Sequence, residues 1–473
     1  MNRRDFLKSV GLGATCLTTT SCVGGFERLT PTPKAHDKPN FVFILIDDMG
    51  WTDVGCYGSK FHETPNIDRL ARQGMKFTDA YAACPVCSPT RASIMAGQYP
   101  ARVGITDFIP GHWRPYEKLI VPENQLFLPP ESVTIADVLK ARGYSTGYIG
   151  KWHLGTQKTH QPDQQGFSWV LGGTLNQNDK QVTGFTDAAV EFIEDNKEEP
   201  FFLFLSHHTV HIPLEAPEEL IQKYQDKPKP PTGVNNPVYA AMVEHLDNSV
   251  GHILEKLKDL KLEENTVVIF FSDNGGLYQA FGGYRGDRSA VTTNAPLREE
   301  KGTLYEGGIR VPLIVRWPGV VKAGTTCSAP VSSVDFYPSF LGIVGAKGEP
   351  DHVLDGESIV PLLKRTGRLK RKAIYWHYPH YHHSRPAGAI RQDNWKLIEF
   401  YEDGRLELYN LKDDIGEKNN LATEQPQKAA GLQKKLAKWR KSVGAKMPTP
   451  NPDYDPARAD EWGRRQQKKT PRQ

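Results

Sequence analysis

The sequence predicts an α/β fold: a mostly parallel, mixed central sheet flanked by helices, followed by a smaller C-terminal unit of antiparallel sheet plus helix. Three observations predict it. The runs "NFVFILIDDMG" from 40, "PFFLFLSHHTVH" (200–211) and "NTVVIFFSDNGG" (265–276) are continuously apolar and then break into polar residues, as strands buried on both faces do. Helix-like stretches alternate with them. After about residue 345 the texture shifts to short aromatic-rich segments divided by turn residues.

Taken in order, "YSTGYIGKWH" (144–153) and "RVPLIVRW" (310–317) read as further strands of the central sheet. Helices are expected over Pro65 to Gly74, Ile135 to Arg142 and Ala240 to Leu260. In the first, Ile67, Leu70 and Ala71 share a face and Gly74 is a stop. "KAIYWHY", "AGAIRQ", "WKLIEFY" and "RLELYNL" suggest the antiparallel sheet. A last helix carries Leu432, Leu436, Trp439 and Val443 at spacings of four, three and four. The expected divisions are an export signal (1–22), a linker (23–38), a catalytic domain (39–345), a C-terminal subdomain (346–446) and a tail (447–473) lying loosely on the surface.

A net charge of +4 on 473 residues implies neither nucleic-acid binding nor broad anion steering. No apolar run reaches the roughly 20 residues of a membrane-spanning helix. Arg3-Arg4-Asp5-Phe6-Leu7-Lys8 resembles a twin-arginine export signal, and Cys22 ends a degraded lipoprotein cleavage box. The expectation is therefore a protein of the periplasm or cell surface, with Cys22 as a candidate lipid-anchor position. Beyond it only Cys56, Cys84, Cys87 and Cys327 remain, too few for a disulfide scaffold.

In parallel sheets the ligand crevice lies beyond the carboxyl ends of the strands. Here those ends carry Asp47-Asp48, Lys151-x-His153, His207-His208 with His211, and Asp273-Asn274. Asp47, Asp48, Asp273 and Asn274 offer side-chain oxygen only, which suits a hard divalent cation such as Ca²⁺ or Mg²⁺. Arg91, Lys151, His153, His211 and Lys301 would bring positive charge and protons to the same rim, which fits a tetrahedral oxyanion.

The stretch "CPVCSPTRAS" (84–93) raises a redox or zinc reading through its Cys-x-x-Cys pair. Ser-Pro-Thr after the pair does not read as the helical context of a thioredoxin-like site, and no second ligand pair follows for zinc. Instead "CSPTRASIMAGQYP" (87–100) matches the sulfatase signature Cys-x-Pro-x-Arg, with Gly97 at the right distance. Counting from Cys84 gives neither the proline nor the arginine. "ILIDDMGWTDVGCYG", "ETPNIDRLARQGMKFTDAYA", "GYIGKWHLG", "SHHTVHIPLEAP", "FFSDNGG" and "LREEKGTLYEGGIRVPLIVRWPG" also resemble, in family order, the formylglycine-dependent sulfatases.

That resemblance implies that a formylglycine-generating maturation enzyme oxidises Cys87, and that the hydrate of the product is the nucleophile. A geminal diol attacks with one hydroxyl and expels sulfate by collapsing through the other, which splits one hard step into two. It implies calcium held by Asp47, Asp48, Asp273, Asn274 and residue 87, with Mg²⁺ as the alternative ion. Arg91 would hold the hydrate, Lys151 and Lys301 the sulfate oxygens. His153 would take the proton of the second hydroxyl, and His211, or Lys301 with it, would protonate the leaving alcohol. His207 and His208 read as structural, and Cys84 as a small buried residue.

Specificity is expected in "GHWRPYEK" (111–118), "YQAFGGYRGDRSAVTTNAPLR" (278–298) and "HYPHYHHSRP" (377–386). The substrate candidates there are His112, Trp113, Arg114, Tyr284, Arg285, Asn294, Arg298, His380, His382 and Arg385, which could stack on sugar faces or pair with anions. A sulfated saccharide is the expected substrate, with no nucleic-acid partner. A phosphomonoesterase or phosphodiesterase of the same superfold, or a non-catalytic glycan-binding protein, are the alternatives. Oligomeric state is not legible.

Overall fold

The computed structural model describes residues 38–173, 178–279 and 289–461, and in it the apolar runs form one eight-stranded sheet. Its strands are β1 (Asn40–Ile46), β2 (Met75–Phe77), β3 (Ser145–Gly150), β4 (Trp169–Leu171), β5 (Phe201–Ser206), β6 (Thr266–Ser272), β7 (Leu313–Arg316) and β8 (Thr325–Cys327). The spatial order is β8-β2-β7-β6-β1-β5-β3-β4. β1 runs parallel to β5 and β6, β3 to β4 and β5, and β2 to β8. Only β7 is reversed, against both β6 and β2. The sheet is mostly parallel and mixed, as expected.

Helices that flank this sheet include α1 (Pro65–Gln73), α2 (Cys87–Ala96), α3 (Ile135–Lys140), α4 (Val182–Asp195), α5 (Pro237–Asp259) and α6 (Phe336–Ile343). Alternation along β1 divides the core. Phe41, Phe43 and Leu45 pack with α2, α3 and α6, while Val42, Ile44 and Ile46 pack with α1, α4 and α5. At roughly 1.5–3 kcal/mol for each buried apolar side chain, β1 is firmly anchored beneath the two aspartates that follow it. Local signals set the helix starts. Thr134 and Asp137 form a capping box on α3, and Asn236 accepts the first free N–H groups of α5.

α2 departs from the sequence reading, since Ser-Pro-Thr did not suggest a helix. Pro89 falls in the first turn, where its missing N–H would have had no partner, and Gly97 ends the helix at φ 66°.

The C-terminal sheet has the order β9 (Ile374–Tyr378), β10 (Ala387–Gln392), β11 (Trp395–Phe400), β12 (Leu406–Asn410), all antiparallel. Its Trp376, Ala389 and Ile398 pack on Tyr81, Cys84 and Ile309 of the first part. Its Ile390, Leu397 and Leu408 pack on α7 (Pro426–Ser442). The residues after Met447 are less loose than expected. Thr449–Pro450 pair with Leu119–Ile120, and Asn451 Nδ2 bonds the carbonyls of Pro115 and Glu117 at 2.9 and 2.7 Å. The backbone of an extended segment found partners there that its composition did not advertise. Among the described residues no helix is long and apolar enough to cross a membrane. The export signal and Cys22 lie outside the described residues.

Candidate active site

β1 and β6 are neighbours in parallel register, so the residues that follow them, Asp47-Asp48 and Asp273-Asn274, emerge side by side. All four are buried. Asp48 turns into the left-handed region at φ 64°, a conformation that Asp tolerates better than most residues. Neighbouring groups hold it there: Asp273 Oδ1 accepts its N–H at 3.2 Å, and Ser272 Oγ accepts that of Met49 at 3.0 Å. Asn274 Nδ2 donates to Asp48 Oδ1 at 2.8 Å. Gly275 has to be glycine, since a Cβ there would lie 1.8 Å from the Gly307 carbonyl oxygen.

Three cations converge on the acids. Arg91 reaches from α2, its Nε and NH2 lying 2.9 and 2.8 Å from Asp273 Oδ2 and its NH1 donating to Ser206 Oγ at 2.6 Å. Lys151, just past β3, donates to Asp47 Oδ2 at 2.5 Å, and Lys301 to Asp48 Oδ2 at 2.7 Å. Burial alone would raise the carboxyl pKa of Asp47 and Asp48. For Asp47, Lys151, His211 and Arg91 outweigh burial and hold it well below the usual range; for Asp48, Lys301 and His211 outweigh burial and hold it below its ordinary value. Both are therefore carboxylates, and Lys301, lifted chiefly by Asp48 against its own burial, is a cation.

Cys87, the first residue of α2, points its Sγ at His153 Nδ1, 3.2 Å away. His153 Nε2 lies 2.5 Å from the Ile109 carbonyl oxygen, which can only accept. The ring's proton is thereby placed on Nε2, and Nδ1 is left as an acceptor facing residue 87. Burial, and after it Lys151, push this imidazole down to about 3. His211 uses Nδ1 on the Ile212 carbonyl at 2.5 Å and turns Nε2 toward Asp48 Oδ2 at 3.6 Å. Burial and Lys301 bring it down to about 4.

Ligand atoms of Asp47, Cys87 and Asp273 lie within 4.8 Å of one another, as do those of Asp47, Asp48 and His211. Asp47 Oδ1 and Asn274 Oδ1 are buried without a hydrogen-bond donor. Carboxylate and amide oxygens drawn together with two of them unsatisfied suit a hard divalent cation.

The substrate candidates separate into groups. His382 and His383 lie against Lys301: His383 Nδ1 is 3.0 Å from the Lys301 carbonyl oxygen, and His382 fills the space beside Gly302. His112 is 5.3 Å from His382 between ring centroids, and Arg114 NH2 donates to the His382 carbonyl at 3.4 Å. Trp113 is exposed. His380 is buried, with Nε2 at 2.8 Å from Thr106 Oγ1. Asn294 spends its amide on the backbone, taking the Gly276 N–H at 3.0 Å and giving to the Gly276 carbonyl at 2.8 Å. Arg298 stacks on Tyr305 and donates to Tyr409 at 3.0 Å, and Arg385 pairs with Glu402. Tyr284 and Arg285 lie outside the described residues.

Comparison with known proteins decides the family. The Sulfatase family model matches residues 39–346, and the model for the C-terminal part of N-sulphoglucosamine sulphohydrolase matches residues 299–442. A sulfatase of Formosa agariphila is 33% identical over 86% of this chain and 89% of its own length. Human arylsulfatase A is 31% identical over 81% of this chain and 83% of its own length. The crystal structure of Ps i-CgsB superposes with a TM-score of 0.73 at 31% identity, covering 85% of this chain and 93% of that one.

The chain belongs to the formylglycine-dependent sulfatase family. It is thus a sulfuric ester hydrolase, and the family implies a formylglycine and a divalent metal in the sulfatase site. Two supports of this sulfatase site escaped sequence reasoning. Tyr148 Oη donates to the Lys151 carbonyl at 2.5 Å, and Ser206 Oγ donates to the same oxygen at 2.7 Å. Both sit inside strands as ordinary residues: Tyr148 reaches Lys151 from three residues earlier in the same segment, and the pairing of β3 with β5 brings Ser206 to it.

Proposed function

We propose that this sulfatase hydrolyses a sulfate ester of a carbohydrate to the alcohol and inorganic sulfate, with formylglycine at position 87. The observation that carries the reading is the placement of Cys87 Sγ between the acceptor Nδ1 of His153 and the acidic cluster. The hydrate at residue 87 would attack sulfur, and a covalent sulfo-enzyme would form as the alcohol leaves. His211, through Nε2, gives the leaving oxygen its proton, with Lys301 beside it. The charge of a bound sulfate ester would offset the burial that holds His211 down. His153 Nδ1 then takes the proton of the remaining hydroxyl as sulfate departs and the aldehyde re-forms.

Lys151 and Lys301 neutralise sulfate oxygens, while Arg91 fixes Asp273 and the start of α2. Ca²⁺, with Mg²⁺ as the alternative, would be held by Asp47, Asp48, Asp273, Asn274 and residue 87, and when bound it would share the charge of nucleophile and sulfate. His112, His382 and His383, uncharged through burial, line the side of the crevice next to Lys301 where the sugar would sit. Ps i-CgsB, a structural relative, has been solved in complex with k-i-k-neocarrahexaose. Residues 1–22 support export to the periplasm or cell surface.

The test is mass spectrometry of the tryptic peptide 77–91, from protein made with a maturation enzyme, joined to a screen of sulfated saccharides against aryl sulfates. Formylglycine at 87 and turnover of a sulfated sugar are expected. An unmodified thiol would overturn the nucleophile, and activity confined to aryl sulfates would overturn the substrate class.

A further inference from the structure

A whole-chain charge of +4 conceals a polarised surface. Residues 426–446 hold Lys428, Lys434, Lys435, Lys438, Arg440, Lys441 and Lys446 and no acid, so the rest of the chain is net acidic. α7 is an outer layer, its Leu432, Leu436 and Trp439 buried against the C-terminal sheet. At about 100° per residue, Lys428, Lys435, Lys438, Lys434 and Lys441 succeed one another around its outward side. The last four are exposed. Arg440 falls on the other flank, where Glu399 binds it at 2.7 Å. Among the described residues the five lysines of the arc form no ion pair; Lys435 donates to Gln392 Oε1 at 2.5 Å, and Lys428 sits 4.1 Å over the Trp395 ring.

The arc borders a groove of about 370 Å³ between the turn Gln392–Trp395 and the α7 residues Lys428, Gly431 and Lys435. An aromatic face, two side-chain amides and two ammonium groups suit a sugar ring bearing anionic substituents. The one carboxylate in the lining, Asp393, is exposed. β10 begins just after the His-rich rim of the crevice and ends at the groove, six residues later. Its length is therefore about 17 Å.

We propose that the groove and lysine arc form a second binding site, for a sulfated polysaccharide chain, that holds the polymer while one of its sulfate esters occupies the crevice. The inference rests on the carbohydrate reading of the active site. Polyanion attraction supplies affinity through the lysines, and the groove at Trp395 separates this partner from nucleic acid, which would need the lysines alone. Engaging one chain at two places raises its effective concentration at the crevice.

Binding is read on Cys87→Ala protein, which cannot turn over, by retardation in gels containing dextran sulfate, unsulfated dextran or duplex DNA. Dextran sulfate should retard it most, duplex DNA measurably less through the lysines alone, and unsulfated dextran not at all. Replacing Lys434, Lys435, Lys438 and Lys441 together by Gln should weaken retardation ~tenfold or more, whereas the four Lys→Arg changes should preserve it. Gly431→Leu fills the groove without a clash, since a Cβ there meets nothing within 4 Å, and should weaken dextran sulfate binding while leaving DNA binding unchanged. In the active enzyme the four-Gln variant should keep kcat/KM on a sulfated monosaccharide and lose ~fivefold or more on polymer. Undiminished retardation of that variant overturns the site. Equal effects of Gly431→Leu on DNA and dextran sulfate, or none on either, reduce the arc to general polyanion attraction and overturn it too. Absence of any sulfatase activity would fail the active-site reading and leave the retardation result to stand by itself.

Discussion

Two clusters of buried charge lie in this molecule, and they are built to opposite specifications. At the junction with the C-terminal sheet, Glu306 Oε1 takes Lys396 Nζ at 2.8 Å, and its Oε2 takes Tyr81 Oη at 2.7 Å and Arg310 Nε at 2.6 Å. Lys396 is wholly buried and also meets Glu417 Oε1 at 2.9 Å. Acids and bases there close on one another. At the crevice, Asp47 Oδ1 and Asn274 Oδ1 are left without donors, and Asp48 and His153 hold positive φ. The first cluster joins two layers through acid–base pairs, Glu417 Oε1 being held by charge with no hydrogen bond of its own. The second keeps carboxylate and amide oxygens unpaired beside three cations, a donor set that suits a divalent cation and an oxyanion.

The contrast can be broken from either side. The largest effect is expected at the nucleophile: Cys87→Ala should lower kcat by ~10⁴ or more, while Cys84→Ala, whose thiol only packs, should stay within a few fold. Steady-state turnover of one sulfate ester measures both, and equal losses would return the pair to consideration. Next, Lys396→Met removes the cation bound to buried Glu417 and one of the two bound to Glu306, and should cost about 3–5 kcal/mol in denaturant unfolding, with kcat per folded molecule unchanged.

Chelation comes third. Ca²⁺ at a hundred times its Kd should stabilise the protein by about 2.7 kcal/mol over chelator-treated protein, and Asp273→Ala should abolish that increment. Thermal melts with and without the ion decide it, and an increment that survives in Asp273→Ala would place the ion elsewhere.

The last effect is graded with pH and is the smallest of the four when taken per pH unit for each group. Burial pushes His207 down to about 3 and His377 to about 4, from an ordinary value of 6.5. Below pH 6.5 the unfolded chain binds protons that the folded one refuses, so stability is complete above 6.5 and falls as pH drops toward 4. Each such histidine contributes ~1.4 kcal/mol per pH unit in that window. Melting temperatures from pH 7 to 4 should decline accordingly, and less steeply in His377→Gln.

Legibility followed the physics of each element. β1 and β6 could be read to within a residue because burial on both faces leaves an unbroken apolar run, and the polar residue that ends it is also the one that enters the crevice. The helix at Cys87 was not legible, because a proline three residues in looks like a breaker until it is known to occupy the first turn. Arg91 was read as a ligand of the hydrate, yet its guanidinium is committed to Asp273 and Ser206; that commitment depends on three separate segments meeting. Asn294 looked like a substrate contact because it sits in 278–298, where specificity was expected, and its amide braces Gly276. Roles made of contacts between distant segments leave no local pattern to read.

Gly302 carries a consequence for how such a chain can change over time. It sits at φ 81°, and a Cβ there would lie 1.9 Å from His382 Nδ1, a residue contributed by the other sheet eighty positions later. Position 302 cannot drift by itself: a larger residue there requires a smaller one at 382 as well as a backbone that accepts positive φ. The backbone beside the lysine that faces Asp48 is thus shaped by a histidine from the connection between β9 and β10.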